Sequence, residues 1–323
     1  MRSLSCTSFE NESGLSVTQS PTPQPEPAEV VVEVAAVAIA FVDRLIVTGR
    51  YQVVPTLPYV PGSLAAGVIC AVGAGVTDRA PGQRVVLNRA KTGTWATHAL
   101  VDSALTVPIP DGVDNASAAA ALEAYGTAIY ALEHRVAVQP GQTMLVLGAG
   151  GAVGAAFIEL AAALGLRTIA VTSNAAIHYA NGTPELIIDR TTDDLRARMK
   201  ASFERGVDYV VDPVGGDLAV LALRSLGFRG RYLVVGFASG LIPQLPINHV
   251  LLQEREIIGV DWGDYVRTRP GAAAESLTAV MTRLADGSLP MPKTKTVTFE
   301  QLAIHLHGPA TEGGLIRTVL IPR

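Results

Sequence analysis

Residues 143–165 read TMLVLGAGGAVGAAFIELAAALG, an apolar run, a knot of glycines and then an alanine-rich run. The first part has the character of a buried strand, and the last is made of strong helix formers. RTIAVTS (167–173) follows as a second strand, which completes a βαβ unit. Between strand and helix stand Gly148, Ala149, Gly150, Gly151, Ala152, Val153 and Gly154. Missing side chains at such a turn let a pyrophosphate touch the backbone, while the free amides and positive dipole end of the helix attract its charge. Tight turns and close helix packing also select glycine. The strand before the loop and the helix after it turn the pattern into a dinucleotide site.

Downstream, PELIID (184–189), VDYVVD (207–212), GRYLVVGF (230–237) and REIIGVD (255–261) alternate with shorter helical stretches. That rhythm predicts an α/β domain with a doubly wound parallel sheet. AAAESLTAVMTRLADG (272–287) is predicted as helix, and IRTVLIP (316–322) as a strand that returns to the sheet of the first region. Upstream, NASAAAALEAYGTAIYALEHR (115–135) is a long helix with Asn115 or Ser117 as its cap. Before Pro110 the pieces Glu29–Val37, Gly67–Val76 and Gln83–Leu87 are short, β-rich and separated by Gly and Pro turns. They predict an all-β region closed as an irregular barrel. TQSPTPQPEPAE (18–29) reads as a proline-rich loop.

A chain of 323 residues, 49% of them hydrophobic, is long enough for two domains sharing a large core. Mean hydropathy is positive, at +0.32, but Gly, Pro or charge breaks every apolar run before the roughly 20 residues a membrane helix needs. The opening MRSLSCTSFENESG lacks the basic start and apolar run of a secretion signal, so a cytoplasmic protein is expected. The net charge is −4 and the Lys and Arg residues are scattered, which argues against nucleic acid as a partner. Cys6 and Cys70 make neither a disulfide framework nor a metal cluster, and both are read as buried, reduced thiols.

The second strand ends in Val171, Thr172, Ser173 and Asn174. A carboxylate here would pair with an adenosine ribose and repel any phosphate added to it. Instead, Ser173, Asn174 and His178 offer donors suited to such a phosphate. An ordinary polar turn is the alternative.

AFVDRLIVTGRYQ (40–52), LPYVPGSLAAGVICAVGAGV (57–76), YGTAIYAL (125–132), VDYVVDPVGGD (207–217), GRYLVVGFASG (230–240) and IIGVDWG (257–263) extend the pattern over nearly the whole chain. In this order they resemble the zeta-crystallin or quinone oxidoreductase branch of the medium-chain dehydrogenase/reductase superfamily. The resemblance implies a GroES-like β-barrel domain over 1–113 and 270–323 and a Rossmann-type domain over 114–269. It also implies NADPH in the cleft, a small conjugated acceptor such as a quinone or enone, and a homodimer. Carried over by position, Thr127 lies near the nicotinamide, Gly148 through Gly154 on the pyrophosphate, and Ser173, Asn174 and His178 on the adenosine side. Gly236, Phe237, Ala238 and Ser239 run along the cofactor, and Tyr51 and Asp43 border the substrate as catalytic candidates. Trp262 closes the pocket or serves the dimer interface. Read without the resemblance, Tyr51 and Trp262 are equally core aromatics, and Asp43 a helix cap.

The chain departs from its relatives at Ala40, where Asn is common, at Leu64, where Glu is, and at Ile177, where a phosphate-binding Lys is usual. The zinc-dependent cousins need Cys, His and carboxylate ligands in the same barrel, and the matching residues here are Ala40, Ser63 and Leu64. No metal is therefore expected, and His98, His134, His249, His305 and His307 show no ligand spacing. Without zinc to polarise a carbonyl, a conjugated acceptor is the expected substrate, since its own π system takes up the charge. An enal, enone or enoyl-thioester reductase and a non-catalytic NADP-binding protein are the alternatives.

Overall fold

The computed structural model describes residues 1–9, 14–306 and 315–323. His307 lies outside the described residues, as does the side chain of His305. Strands β1 (Arg2–Cys6) and β2 (Leu15–Gln19) pair antiparallel. The barrel then takes shape from β3 (Glu29–Ala38), helix α1 (Phe41–Val47), β4 (Leu64–Val72), β5 (Arg84–Asn88), β6 (His98–Asp102) and β7 (Thr106–Pro108). Long helix α2 (Asn115–Ile129) follows and runs into a wider turn over Tyr130–Arg135.

Next come β8 (Thr143–Leu147), α3 (Ala152–Ala163), β9 (Arg167–Thr172), β10 (Leu186–Asp189), α4 (Leu195–Ser202) and β11 (Val207–Asp212). They are followed by α5 (Leu218–Ser225), β12 (Leu226–Val234), α6 (Asn248–Leu251) and β13 (Glu256–Gly259). Six parallel strands lie in the order β10-β9-β8-β11-β12-β13. Every residue of β8 is buried, as its unbroken apolar run requires of a central parallel strand. The order reverses between β8 and β11, and in such sheets ligands bind in the crevice outside the carboxyl ends of the strands at that point.

The chain ends with α7 (Trp262–Thr268), α8 (Ala272–Ala285), β14 (Thr294–Val297), α9 (Phe299–His305) and β15 (Arg317–Leu320). β15 pairs antiparallel with β3 through Val319 with Ala38 and Leu320 with Val37. The last strand thus completes the first region's sheet, as the sequence suggests, and gives the order β14-β15-β3-β4-β5-β7 with β6 also on β3. Helix α2 packs against β3, β4 and β15 on one side and against α3 and α8 on the other. It reaches the parallel sheet through α3, which packs on β8 and β9.

Three sequence expectations are corrected. The cap of α2 is Asp114, not Asn115 or Ser117, because the Asp114 carboxylate accepts the Ser117 amide at 2.9 Å. The first region is not all β, since α1 interrupts it after β3. Cys6 is buried but Cys70 is exposed, because side chains alternate along β4 and Ile69 takes the core face. No helix among the described residues is long and apolar enough to cross a membrane.

Candidate active site

The glycine loop leaves β8 at its carboxyl end, and its glycines differ in the room around them. Gly148 has φ +60°, and a Cβ there would lie 2.6 Å from Val214 Cγ2. A Cβ on Gly154 would lie 2.3 Å from the Gly148 carbonyl oxygen, so this glycine lets α3 start tight against the strand. At Gly151 the nearest atom is that same oxygen at 3.4 Å, which is ordinary contact. Gly151 is also the N-cap of α3 and supplies no side-chain acceptor. The amides of Ala152, Val153 and Gly154 therefore begin the helix without a protein cap, and an anion fits there.

A shallow cleft opens beside this first turn, lined by Ala152, Ala155, Glu159, His178, Lys293 and Arg317 among others. Three basic side chains from distant parts of the chain thus stand around the helix start. The Arg317 guanidinium donates to the Ala120 carbonyl at 2.6 Å and lies 5.0 Å from the centre of the Tyr125 ring. Burial pulls its pKa down, and Tyr125, Glu159 and Glu123 oppose the shift. The Tyr125 hydroxyl donates to Glu159 Oε2 at 2.7 Å, which ties α2 to α3 behind the cleft.

Ser173 and Asn174 follow β9 and are exposed, as is His178. The Asn174 side-chain oxygen accepts the Ala176 amide at 3.1 Å, so part of this segment is the polar turn. Ile177 points inward beside Gly150 and is 8% exposed. Arg190 sits next to this turn: its amide donates to the Thr172 carbonyl at 2.8 Å, and its side chain is exposed.

Gly236, Phe237, Ala238 and Ser239 follow β12 and dock on the loop after β11, with Ala238 N–H on the Pro213 carbonyl and Ser239 N–H on Val214. Asp212 shapes that loop by accepting the Val214 and Gly215 amides and the Tyr232 hydroxyl. All the glycine and adenosine-side positions therefore gather at the carboxyl edge of one sheet. Thr127 is buried on α2. Trp262 is 7% exposed, packs on Gly126 and donates to Ser276 Oγ at 2.8 Å, a place in the interface between α2, α7 and α8.

Asp43 Oδ2 accepts the Ala40 amide at 2.8 Å across the first turn of α1. Burial raises its pKa to about 6 against that hydrogen bond. Glu123, half-buried on α2, faces it. Burial and then the charge of Asp43 push its pKa up to about 8, with Arg317 opposing. Tyr51 is half-buried at the head of the next loop, where Val53 and Val54 are exposed.

The sequence reading missed Glu123, Arg190, Lys293 and Arg317. Glu123 left one signal, a single carboxylate inside the apolar run AAAALEAYGTA. His98 lies 3.1 Å from Thr97 Oγ1, His134 packs among Tyr130 and Tyr265, and His249 accepts from Arg224. Among the described residues no three His, Cys, Asp or Glu side chains come together as a metal site.

An alcohol dehydrogenase GroES-like domain model matches residues 26–111, and a zinc-binding dehydrogenase model matches 152–279. The quinone oxidoreductase-like protein 2 homolog of Nematostella vectensis is 32% identical over 257 residues, spanning 79% of this chain and 70% of its own. Its counterpart from Bos taurus is 33% identical over 265 residues, spanning 78% and 73%. Among solved structures, a mycobacterial protein complexed with NADPH aligns over all of both chains with TM-score 0.89 and 26% identity. The quinone oxidoreductase of Pseudomonas syringae aligns over 99% of both chains with TM-score 0.87 and 27% identity.

Proposed function

The chain belongs to the medium-chain dehydrogenase/reductase superfamily, in its quinone oxidoreductase branch, and from that premise we propose that it reduces a quinone or related conjugated carbonyl with NADPH and without zinc. The observation that carries the reading is the uncapped first turn of α3, open above Gly151 and flanked by Arg317, Lys293 and His178. The Ala152, Val153 and Gly154 amides hold the pyrophosphate, and Ser173, Asn174 and Arg190 face the adenosine phosphate. Thr127 borders the nicotinamide. NADPH bound there supplies a hydride.

The rest of the chemistry falls to positioning by the protein. Tyr51, Asp43 and Glu123 line the acceptor side, with the exposed Val53 and Val54 beside Tyr51 as an apolar rim. Ala40, Ser63 and Leu64 offer no thiolate, imidazole or carboxylate to a catalytic zinc, so an alkoxide finds no Lewis acid. We assign 1–113 and 270–323 to the substrate domain, 114–269 to the nucleotide domain, and the whole to the cytoplasm.

The test follows NADPH absorbance with 1,4-benzoquinone and an enal, and NADP+ reduction with ethanol, before and after a strong chelator. Conjugated acceptors are expected to turn over unchanged by chelation, and ethanol not at all. Stoichiometric zinc, chelator-sensitive turnover or robust ethanol oxidation would each sink the proposal. Nucleotide binding with no turnover of any acceptor favours the non-catalytic reading.

The protein is further proposed to work as a homodimer. β13 is the edge strand of the nucleotide sheet, and Ile247 and Leu251 just before it and Ile257 within it are 77%, 79% and 42% exposed. An open edge flanked by apolar side chains invites a second copy to continue the sheet across a twofold axis. Sedimentation should give a dimer, and a Leu251→Glu, Ile257→Lys double variant a folded monomer. A monomeric parent protein refutes the assignment.

A further inference from the structure

Among the described residues the deeply buried carboxylates are all committed to partners. Glu29 binds Lys91 and the Glu26 amide, Glu159 binds Tyr125 and the Ala180 amide, and Asp212 holds two amides and Tyr232. Glu123 differs: it is desolvated by its surroundings yet makes no hydrogen bond to any described residue. A carboxyl placed this way is desolvated with only the Arg317 charge to offset the cost, the pattern of a group kept for chemistry.

Its position fits that reading. Glu123 lies one turn before Thr127, so the two side chains share a face of α2. That helix crosses β3, β4 and β15, and Asp43 from α1 and Arg317 from β15 are the charged groups that face Glu123, with Tyr125 and Glu159 beyond Arg317. We propose that Glu123 is the acid that protonates the acceptor, a role that rests on the conjugated-carbonyl substrate argued above.

The hydride forms a new C–H bond at the β-carbon of an enone, and the C=C electron pair moves through the conjugated system onto the carbonyl oxygen. The enolate then takes the proton of the Glu123 carboxyl group at its α-carbon, the O–H bond breaks, and the Glu123 carboxylate is reprotonated from water. With a quinone the same proton goes to the carbonyl oxygen, and the ring carbon that took the hydride then loses a proton to water as the second oxygen gains one, which gives the hydroquinone.

Burial and Asp43 hold the acid form of Glu123 until about pH 8, so the competent species dominates at neutrality while Asp43, near 6, is ionised. Because the raised group must be protonated to act, activity is present below that pH and lost as pH rises through it.

The experiment measures kcat/KM for an enone against pH in the parent protein, Glu123→Gln, Glu123→Asp and Asp43→Asn, with NADPH affinity and thermal midpoint for each. Expected are a falling limb near pH 8 in the parent and its disappearance in Glu123→Gln, with kcat/KM down about 10²- to 10⁴-fold and NADPH affinity unchanged. Glu123→Asp should restore part of the rate. Asp43→Asn removes the like charge and should move the limb to lower pH. In D₂O the parent should place deuterium on one face of the α-carbon and Glu123→Gln on both. A folded Glu123→Gln with parental rate, limb and stereochemistry overturns this assignment alone. A parent protein inactive with every conjugated acceptor overturns the function proposed above and this role with it.

Discussion

A Gly151→Val protein is expected to bind NADPH more weakly by about three orders of magnitude or more, the scale of several charge-assisted hydrogen bonds lost together, and to keep its thermal midpoint. The two effects separate because Gly151 is extended, with φ −85° and ψ 166°, a conformation open to valine. Its Cβ would meet only the Gly148 oxygen at 3.4 Å, so the fold accommodates it. The γ-methyl groups would occupy the space over the Ala152, Val153 and Gly154 amides instead. Gly154→Val should behave in the opposite way. Its Cβ would lie 2.3 Å from a backbone oxygen, so the start of α3 has to move, at a cost of about 3 kcal/mol or more. Calorimetric titration and thermal denaturation of both variants decide the matter. A folded Gly151→Val that binds NADPH normally removes this loop as the phosphate site.

The parallel sheet was legible because each strand is an apolar run closed by a turn former, and because the glycine loop marks where the first strand meets its helix. Elements held by polar or short-range contacts were not. In β1, Ser3 and Ser5 bond Thr18 of β2 at 3.0 and 2.7 Å, so the ribbon lacks an apolar alternation. Helix α1 has seven residues, too few for a period of 3.6 to register. The site divides along the same line. Its backbone cradle is local and could be read from one loop. Arg317 and Lys293 reach that cradle only because β15 pairs with β3, a contact nearly the length of the chain. Glu123 acquires its character from Asp43 and from its depth of burial on α2, and neither is written in the helix itself.

Arg190→Ala is expected to weaken NADPH by about ten- to a hundredfold, the worth of one charge-assisted phosphate contact, and to leave NADH unchanged. The family's usual lysine position cannot serve here, because Ile177 is turned inward with its Cδ1 3.5 Å from where a Gly150 Cβ would be. Asn174 commits its side-chain oxygen to the Ala176 amide and keeps only its NH₂ group for a ligand. Ser173 adds one hydroxyl. Neither carries charge, and an added ribose phosphate brings nearly two negative charges that only a cation offsets well. Arg190 is that cation: its amide on the Thr172 carbonyl fixes its Cα beside the end of β9, and its exposed side chain has no hydrogen bond of its own among the described residues. Asp189 accepts from the Thr191 amide and hydroxyl and attracts Arg190 by charge, but makes no hydrogen bond to it. The NADPH to NADH affinity ratio should fall with salt in the parent protein and be nearly flat in Arg190→Ala, because a charge–phosphate contact is screened. An unchanged ratio in Arg190→Ala would clear Arg190 of the role, and equal affinities in the parent protein would mean that Ser173, Asn174 and Arg190 together do not read the phosphate.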